Sequence, residues 1–222
     1  MDAIKKSVDI KLFDNLNQAE IDALLTNSIT RQFPKNTVLI QEGDRSDALY
    51  ILQSGKAKVY LANDDGKEIV LNVLKSGDYF GEMSLLDHQP RSASVMTLVS
   101  SKITIITNHD FEQTLLKNPA IAINLIKGLL KTLRLLTDNV RSLALLDVYG
   151  RVARVLMSCA RPEIDDNESF IIDEPMTHQD LANRVGASRE MISRILKDLS
   201  KGGYINNKGK QIVINSRLPA GY

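Results

Sequence analysis

Residues 177–199 read THQDLANRVGASREMISRILKDL, and their spacing predicts two short helices joined by a tight turn. Thr177 is followed three residues later by Asp180, which supplies both halves of a reciprocal N-terminal cap. Gly186 ends the first helix, because glycine adopts the left-handed conformation that closes a helix at little cost. Ser188 then caps a second helix, whose Met191 or Ile192, Ile195 and Leu199 recur at the spacing of one buried face.

The outward face of that second helix carries Arg189, Glu190 and Arg194. An arginine fork can donate to guanine O6 and N7, and a glutamate carboxylate can accept from cytosine N4, so this face has the chemistry to read G·C pairs in a major groove. Glu190 and Arg194 also stand at i,i+4, where an exposed ion pair is the ordinary alternative. From Thr177 to Tyr222 there are eight basic side chains against three acidic ones, a local +5, although the whole chain carries only +1. A basic segment around such a helix can neutralise phosphates and release counterions. Thr177 and Gln179 at the start of the first helix, and Lys197 and Lys201 at the end of the second, are placed for phosphates. The following hairpin, Tyr204 to Ile214, reads as a wing.

The remaining composition narrows the options. At 222 residues and 43% hydrophobic the chain can bury two modest cores. Cys159 is the only cysteine, which excludes an intramolecular disulfide, a zinc finger and a cysteine-ligated cluster. His88, His109 and His178 are too scattered for a metal site. Met1 to Leu16 lacks the apolar run of an export signal or membrane span, so the expected location is cytoplasmic.

Upstream, the runs VLI, ALYIL, AKVYL, EIVLNVL, ASVMTL and KITIIT alternate with the turn signals EGD, QSG, NDDG and KSGD. Many short strands at this spacing predict an antiparallel sandwich or jelly roll, preceded by helical spacing over Gln18–Asn27. After Asn118 and Pro119 the period becomes helical for nearly 30 residues, with Ile126, Leu129, Leu133, Leu136, Val140 and Leu143 on one a/d seam. That seam favours a parallel homodimer; packing on its own domain is the alternative, for which Leu125, Leu130 and Leu135 supply further apolar faces. Gly150 is expected to separate this helix from another over Arg151–Ala160. A surface loop, Arg161 to Ser169, and a strand at 170–172 complete a second domain.

Within the strand-rich half lies GDYFGEMSLLDHQPRSASV, residues 77–95. Gly81 and Glu82 open a helical turn, with Met83 and Ser84 inside it, and Arg91 and Ser92 close the segment beside a strand. Amides at a helix start attract an anion, Arg91 can pair with it and Ser92 can donate a hydroxyl, while Glu82 accepts well from a ribose hydroxyl. A ligand with both sugar and phosphate suits the set. The plain alternative is a Glu82–Arg91 ion pair across a turn.

GEM followed by PRSA, LALLDVYGRVARVL after the long helix, and GASREMISRILKDL together make the sequence resemble the catabolite activator family of cyclic AMP receptor proteins, across nearly the entire chain. The resemblance implies an α+β architecture: a jelly-roll cyclic-nucleotide-binding domain over 1–117, a dimerisation helix over 118–147 and a winged helix-turn-helix DNA-binding domain over 148–222. It implies that Gly81, Glu82, Arg91 and Ser92 bind cyclic phosphate and ribose, with Met83 and Ser84 in the same turn. It further implies that Arg189, Glu190 and Arg194 match readers of TGTGA-type half-sites, and that the effector is cAMP. In the family two adjacent hydroxyl residues on the long helix recognise adenine; the matching positions here are Leu136 and Thr137, so only Thr137 can hydrogen-bond a base. RNA polymerase and double-stranded DNA are the implied macromolecular partners. The alternative reading keeps the DNA regulator and gives it another ligand, such as a cyclic dinucleotide, or none. An enzyme is not expected, because no residues remain for a catalytic domain and no nucleophile, base and orienter group together.

Overall fold

Along Ala48–Ser54 the side chains of Leu49, Ile51 and Gln53 are buried where Ala48 and Tyr50 are half-buried, as expected where one face of a strand packs on a core. In the computed structural model, which describes residues 10–14, 16–45, 48–163, 169–174, 176–208, 211–215 and 218, the elements form two compact units. The first comprises 1–61 and 70–135, the second 62–69 and 136–222.

The first unit opens with a single 3-10 turn, Lys11–Phe13, and helix α1, Gln18–Leu25, where Asn17 and Glu20 cap each other reciprocally. Strands β1 (Ile29–Phe33), β2 (Val38–Ile40), β3 (Ala48–Ser54), β4 (Lys56–Ala62), β5 (Glu68–Lys75) and β6 (Tyr79–Phe80) follow, then helix α2 (Glu82–Asp87) and strands β7 (Ser94–Thr97) and β8 (Ser101–Thr107). They make two four-stranded sheets, ordered β1-β8-β3-β6 and β2-β7-β4-β5. The central pairing of the first is antiparallel, from Ala48 opposite Thr107 to Ser54 opposite Lys102. Leu49, Ile51, Leu52, Ile103 and Ile106 are wholly buried, each stabilising the sandwich by about 1.5–3 kcal/mol relative to exposure. Two short strands of this unit escaped the sequence reading. β1 is mostly exposed and shows no apolar run, and β6 has two residues inside the ligand segment.

Helix α3, Asn108–Lys117, is capped by Thr107 and leads to α4, Pro119–Leu145. Proline opens α4 where its missing N–H is no loss. Ile121, Asn124 and Leu125 are buried, with Asn124 donating to the carbonyls of Leu12 (3.2 Å) and Asp14 (2.7 Å). Along the expected seam, Ile126, Leu133, Val140 and Leu143 are exposed and Leu129 and Leu136 are half-buried. Of the side chains expected to pack at home, Leu125 is buried, Leu135 is half-buried and Leu130 is exposed.

In the second unit the structure corrects one boundary. Gly150 does not separate two helices; it lies in the first turn of α5, Val148–Cys159, because the Asp147 side chain accepts from the Gly150 N–H at 2.7 Å and starts the helix three residues early. Arg161 and Pro162, read as loop, form the two-residue strand β9 against β10, Phe170–Ile172; positions 164–168 of the expected loop lie outside the described residues. Helices α6, His178–Val185, and α7, Arg189–Lys201, precede the hairpin β11 (Ile205–Lys208) and β12 (Gln211–Ile214), whose residues 209 and 210 lie outside those described. Val152, Leu156, Ile172, Leu181, Val185, Ile192, Leu199 and Ile214 form the core. The architecture is α+β, with a β-rich N-terminal domain, a long helix and a C-terminal helix-turn-helix domain. None of the described helices is long and apolar enough to cross a membrane.

Candidate nucleotide site and DNA interface

Gly81 is the N-cap of α2 and adopts φ 86°, ψ 7°, a left-handed conformation that favours glycine. A β-carbon there would lie 2.7 Å from Arg91 Nη1 and 3.0 Å from the Ala48 carbonyl oxygen, so the position is closed to side chains by contact as well as by backbone angle. Arg91 is only 4% exposed. Its guanidinium donates to the carbonyls of Gly81 at 2.5 Å and Ala48 at 2.8 Å, and it faces the Tyr50 ring, which stacks on Phe80. The Arg91 backbone is pinned as well, by Arg91 N–H to Asp44 O and Gly43 N–H to Arg91 O, both 2.9 Å. The cation is therefore preorganised at the start of α2, where an anion would gain from both.

Glu82 keeps part of its surface open, while protein crowds its carboxyl. Burial raises its pKa above the usual carboxylate range, against the opposing pull of its own backbone N–H and of the Arg91 charge. Met83 is exposed, Ser84 is buried with Oγ 3.5 Å from Gly81 O, and the exposed Ser92 hydroxyl lies 3.7 Å from Met83 Sδ. Gly81, Glu82, Met83, Ser84, Arg91 and Ser92 thus come together. Thr137 does not join them within the first unit; it is an exposed residue of the part of α4 assigned to the second.

Sequence reasoning missed a neighbouring feature. A cavity of about 480 Å³ runs between β5, Tyr79, Glu82 and α4, reaching Lys127, Lys131 and Thr132. Tyr79 is set against α4 because Gly128 has no side chain: a β-carbon there would lie 2.0 Å from the Tyr79 hydroxyl. Burial, then the Glu82 and Asp78 carboxylates, raises the Tyr79 pKa. A glycine inside an otherwise strong helix costs about 1 kcal/mol against alanine, which is the signal that could have exposed this close approach.

At the C-terminal interface both expected caps are present. Thr177 Oγ1 accepts from Asp180 N–H at 3.1 Å, Asp180 returns the bond to the Thr177 N–H at 3.3 Å, and Ser188 Oγ accepts from Met191 N–H at 3.2 Å. Gly186 takes φ 67° at the turn. Ile192 is wholly buried and Met191 is 38% exposed, so Ile192 is the core residue of the two. Arg189, Glu190, Arg194, Lys197 and Lys201 are exposed on α7, and Thr177 and Gln179 on the start of α6. Among the described residues neither Glu190 nor Arg194 has an ion-pair partner, which leaves both side chains available to a ligand. His178 Nδ1 lies 2.7 Å from Ser193 Oγ and ties α6 to α7. Arg151, not singled out by spacing, donates to the carbonyls of Val185 (2.8 Å) and Leu146 (3.0 Å), satisfying chain ends on which the turn depends.

Residues 30–118 match the cyclic nucleotide-binding domain family and residues 150–217 the Crp-like helix-turn-helix domain family. The chain is 33% identical over 199 residues to the cAMP-activated global transcriptional regulator Vfr of Pseudomonas aeruginosa, covering 87% of this chain and 92% of the relative. It is 31% identical to the cAMP-activated global transcriptional regulator CRP of Salmonella typhimurium over 195 residues, 87% and 93% of the two chains. Among solved structures it is similar to the c-di-GMP-responsive global regulator CLP of Xanthomonas campestris, with a TM-score of 0.77 and 28% identity, covering 90% and 100%. FixK2 of Bradyrhizobium japonicum shares the fold at a TM-score of 0.72 and 21% identity, over 86% and 93%. Those family matches extend across the Gly81–Ser92 segment and the α6–α7 pair alike, and the chain belongs to the CRP family of transcription regulators, which are not enzymes.

Proposed function

We propose that the chain acts as a cytoplasmic homodimer that binds cAMP in its N-terminal domain and, when bound, reads TGTGA-type palindromic half-sites and contacts RNA polymerase. The observation that carries this reading is the buried Arg91 guanidinium held at the α2 N-terminus beside Glu82: one cation and one acceptor for a ligand with a cyclic phosphate and a ribose. Gly81, Met83, Ser84 and Ser92 complete that site, and Thr137 serves the base. Arg189, Glu190 and Arg194 read bases, and Thr177, Gln179, Lys197 and Lys201 hold phosphates. The functional segments are 1–117 for ligand, 118–147 for dimerisation and 148–222 for DNA. Ile126, Leu133 and Val140 support the dimer, because each is an apolar side chain more than half exposed on α4.

Titrating cAMP into the full-length protein with a labelled TGTGA palindrome tests the reading. The expected result is a rise in DNA affinity on cAMP addition; an unchanged affinity sinks the nucleotide switch, since a ligand with equal affinity for both states shifts nothing. A second reading, with a cyclic dinucleotide as effector, is favoured by Leu136, which offers a base no hydrogen bond, and by the likeness to a c-di-GMP-responsive regulator. Calorimetry with cAMP, cGMP and c-di-GMP separates the two.

A further inference from the structure

His178 is the first residue of α6, between Thr177 and Gln179, and it is exposed. Its Nδ1 lies 2.7 Å from the Ser193 hydroxyl, which holds the ring against α7. Ser193 is half-buried, four residues after Arg189 and four before Lys197, a spacing that puts all three on one helix face. The imidazole is thus fixed on the stripe of α7 that carries two exposed cations. With Nδ1 engaged, Nε2 is the ring atom left for a further partner, and among the described residues it has none.

The charged groups around the ring favour an anion. Near Ser193, α7 presents Arg189, Arg194 and Lys197 against Glu190, with Asp198 and Lys201 more than a turn beyond. On α6, Asp180 is engaged by the Thr177 cap and Arg184 lies at the far end beside Cys159. On α5, Arg151 bonds the Val185 and Leu146 carbonyls and Arg154 the Asp138 carbonyl. In the segment before α6, Asp173 is paired with Arg161, and Glu174 is the other acid.

We infer that His178 is a phosphate-binding residue of the DNA interface that makes its contact as the protonated ring, with Ser193 as its positioning residue. The inference rests on the reading of α6 and α7 as the DNA face and adds to it both a contact and a dependence on pH. A neutral imidazole has one N–H and one lone pair, whereas the imidazolium has two N–H groups. In the protonated ring Nδ1–H donates to Ser193 Oγ, and Nε2–H donates to a phosphate oxygen with a full charge behind it. The phosphate in turn favours the proton, so binding DNA takes up a proton at this ring. Affinity is highest on the acid side and falls as pH rises through the range in which imidazoles titrate, about pH 5–8.

The test is fluorescence anisotropy of the full-length protein on a scrambled duplex at low salt, between about pH 6 and about pH 8, with wild type, His178→Gln and His178→Arg side by side. No nucleotide is added, and a phosphate contact needs no particular base sequence, so neither the effector nor the TGTGA site enters. Reference to His178→Gln cancels titration at His88, His109 and the carboxylates. Relative to that variant, wild type is expected to gain about three- to tenfold in affinity from the basic to the acid end, and its salt slope is expected to exceed the variant's by about one per bound chain at the acid end only. His178→Arg, a cation throughout, is expected to bind more tightly than His178→Gln at both ends. Ser193→Ala, which frees the ring, is expected to lose part of the acid-side gain. The same pH dependence in wild type and His178→Gln, or equal salt slopes at the acid end, overturns the role of His178 alone. Absence of binding to any duplex overturns the DNA reading and His178 with it.

Discussion

Arg91 and Gly81 form one unit: the buried guanidinium donates to the Gly81 carbonyl at 2.5 Å, and the space a Gly81 side chain would fill is occupied by that same guanidinium. Arg91→Ala leaves the Gly81 and Ala48 carbonyls without this donor, which costs about 1–3 kcal/mol of stability by the usual penalty for an unpaired buried acceptor. Nucleotide binding should be lost with it. Urea denaturation and calorimetry check the two effects separately. Gly81→Ala forces a β-carbon into the left-handed region and against Arg91, with about 1–3 kcal/mol of strain expected.

The raised Glu82 pKa has a consequence for ligand binding. The ionised carboxylate accepts from a ribose hydroxyl, so protonation competes with the ligand. As pH falls, cAMP affinity should begin to drop above the range of an ordinary carboxylate, because burial holds the proton more tightly. Calorimetric titration across mildly acidic pH measures this. Glu82→Gln should bind more weakly and lose the acid-side pH dependence. For stability the direction is opposite: a carboxyl whose native pKa is raised favours the folded state at low pH, and that contribution is lost as pH rises through the native pKa.

On the DNA face two substitutions should behave differently. Arg194→Ala should relax discrimination at one base pair by about 1–3 kcal/mol, whereas Lys201→Ala should weaken all sequences alike and lower the salt slope by about one. Competition binding against a half-site library at two salt concentrations separates them. Two half-sites about one helical turn apart are expected from a two-fold dimer.

The exposed face of α4 carries the dimer prediction. Leu133 and Val140 are 60% and 65% exposed in the single chain, so Leu133→Glu with Val140→Glu should leave the chain folded and shift it to monomer in sedimentation velocity. Palindrome affinity should then fall to that of a single half-site. A dimer unchanged by both charges would place the interface elsewhere.

Much of this is legible in the sequence. The caps at Thr177 and Ser188, the turn at Gly186 and the exposed arginines of α7 follow from short-range rules, because a helix end needs its free N–H groups satisfied within three residues. The strand runs are readable for a similarly local reason, short apolar stretches bounded by turn residues. Gly150 misled because a helix start is set by the side chain that captures the orphan N–H, here Asp147, and not by the glycine itself. Arg151 and Tyr79 gave no sign, since each matters through partners at Val185 and Asn124 that are far away in the chain.

By itself, the sequence determined the order of the parts, the two capped helices with their base-reading face, and the pairing of Gly81 and Glu82 with Arg91 and Ser92 as one ligand segment. Only the tertiary structure decided that Arg91 is buried on two carbonyls, that Ile192 and not Met191 enters the core, and that the His178 ring meets Ser193 on the next helix. The division has a physical cause. Periodicity and capping are properties of neighbours along the chain, whereas burial and hydrogen-bond partners depend on which distant segments the hydrophobic cores bring together.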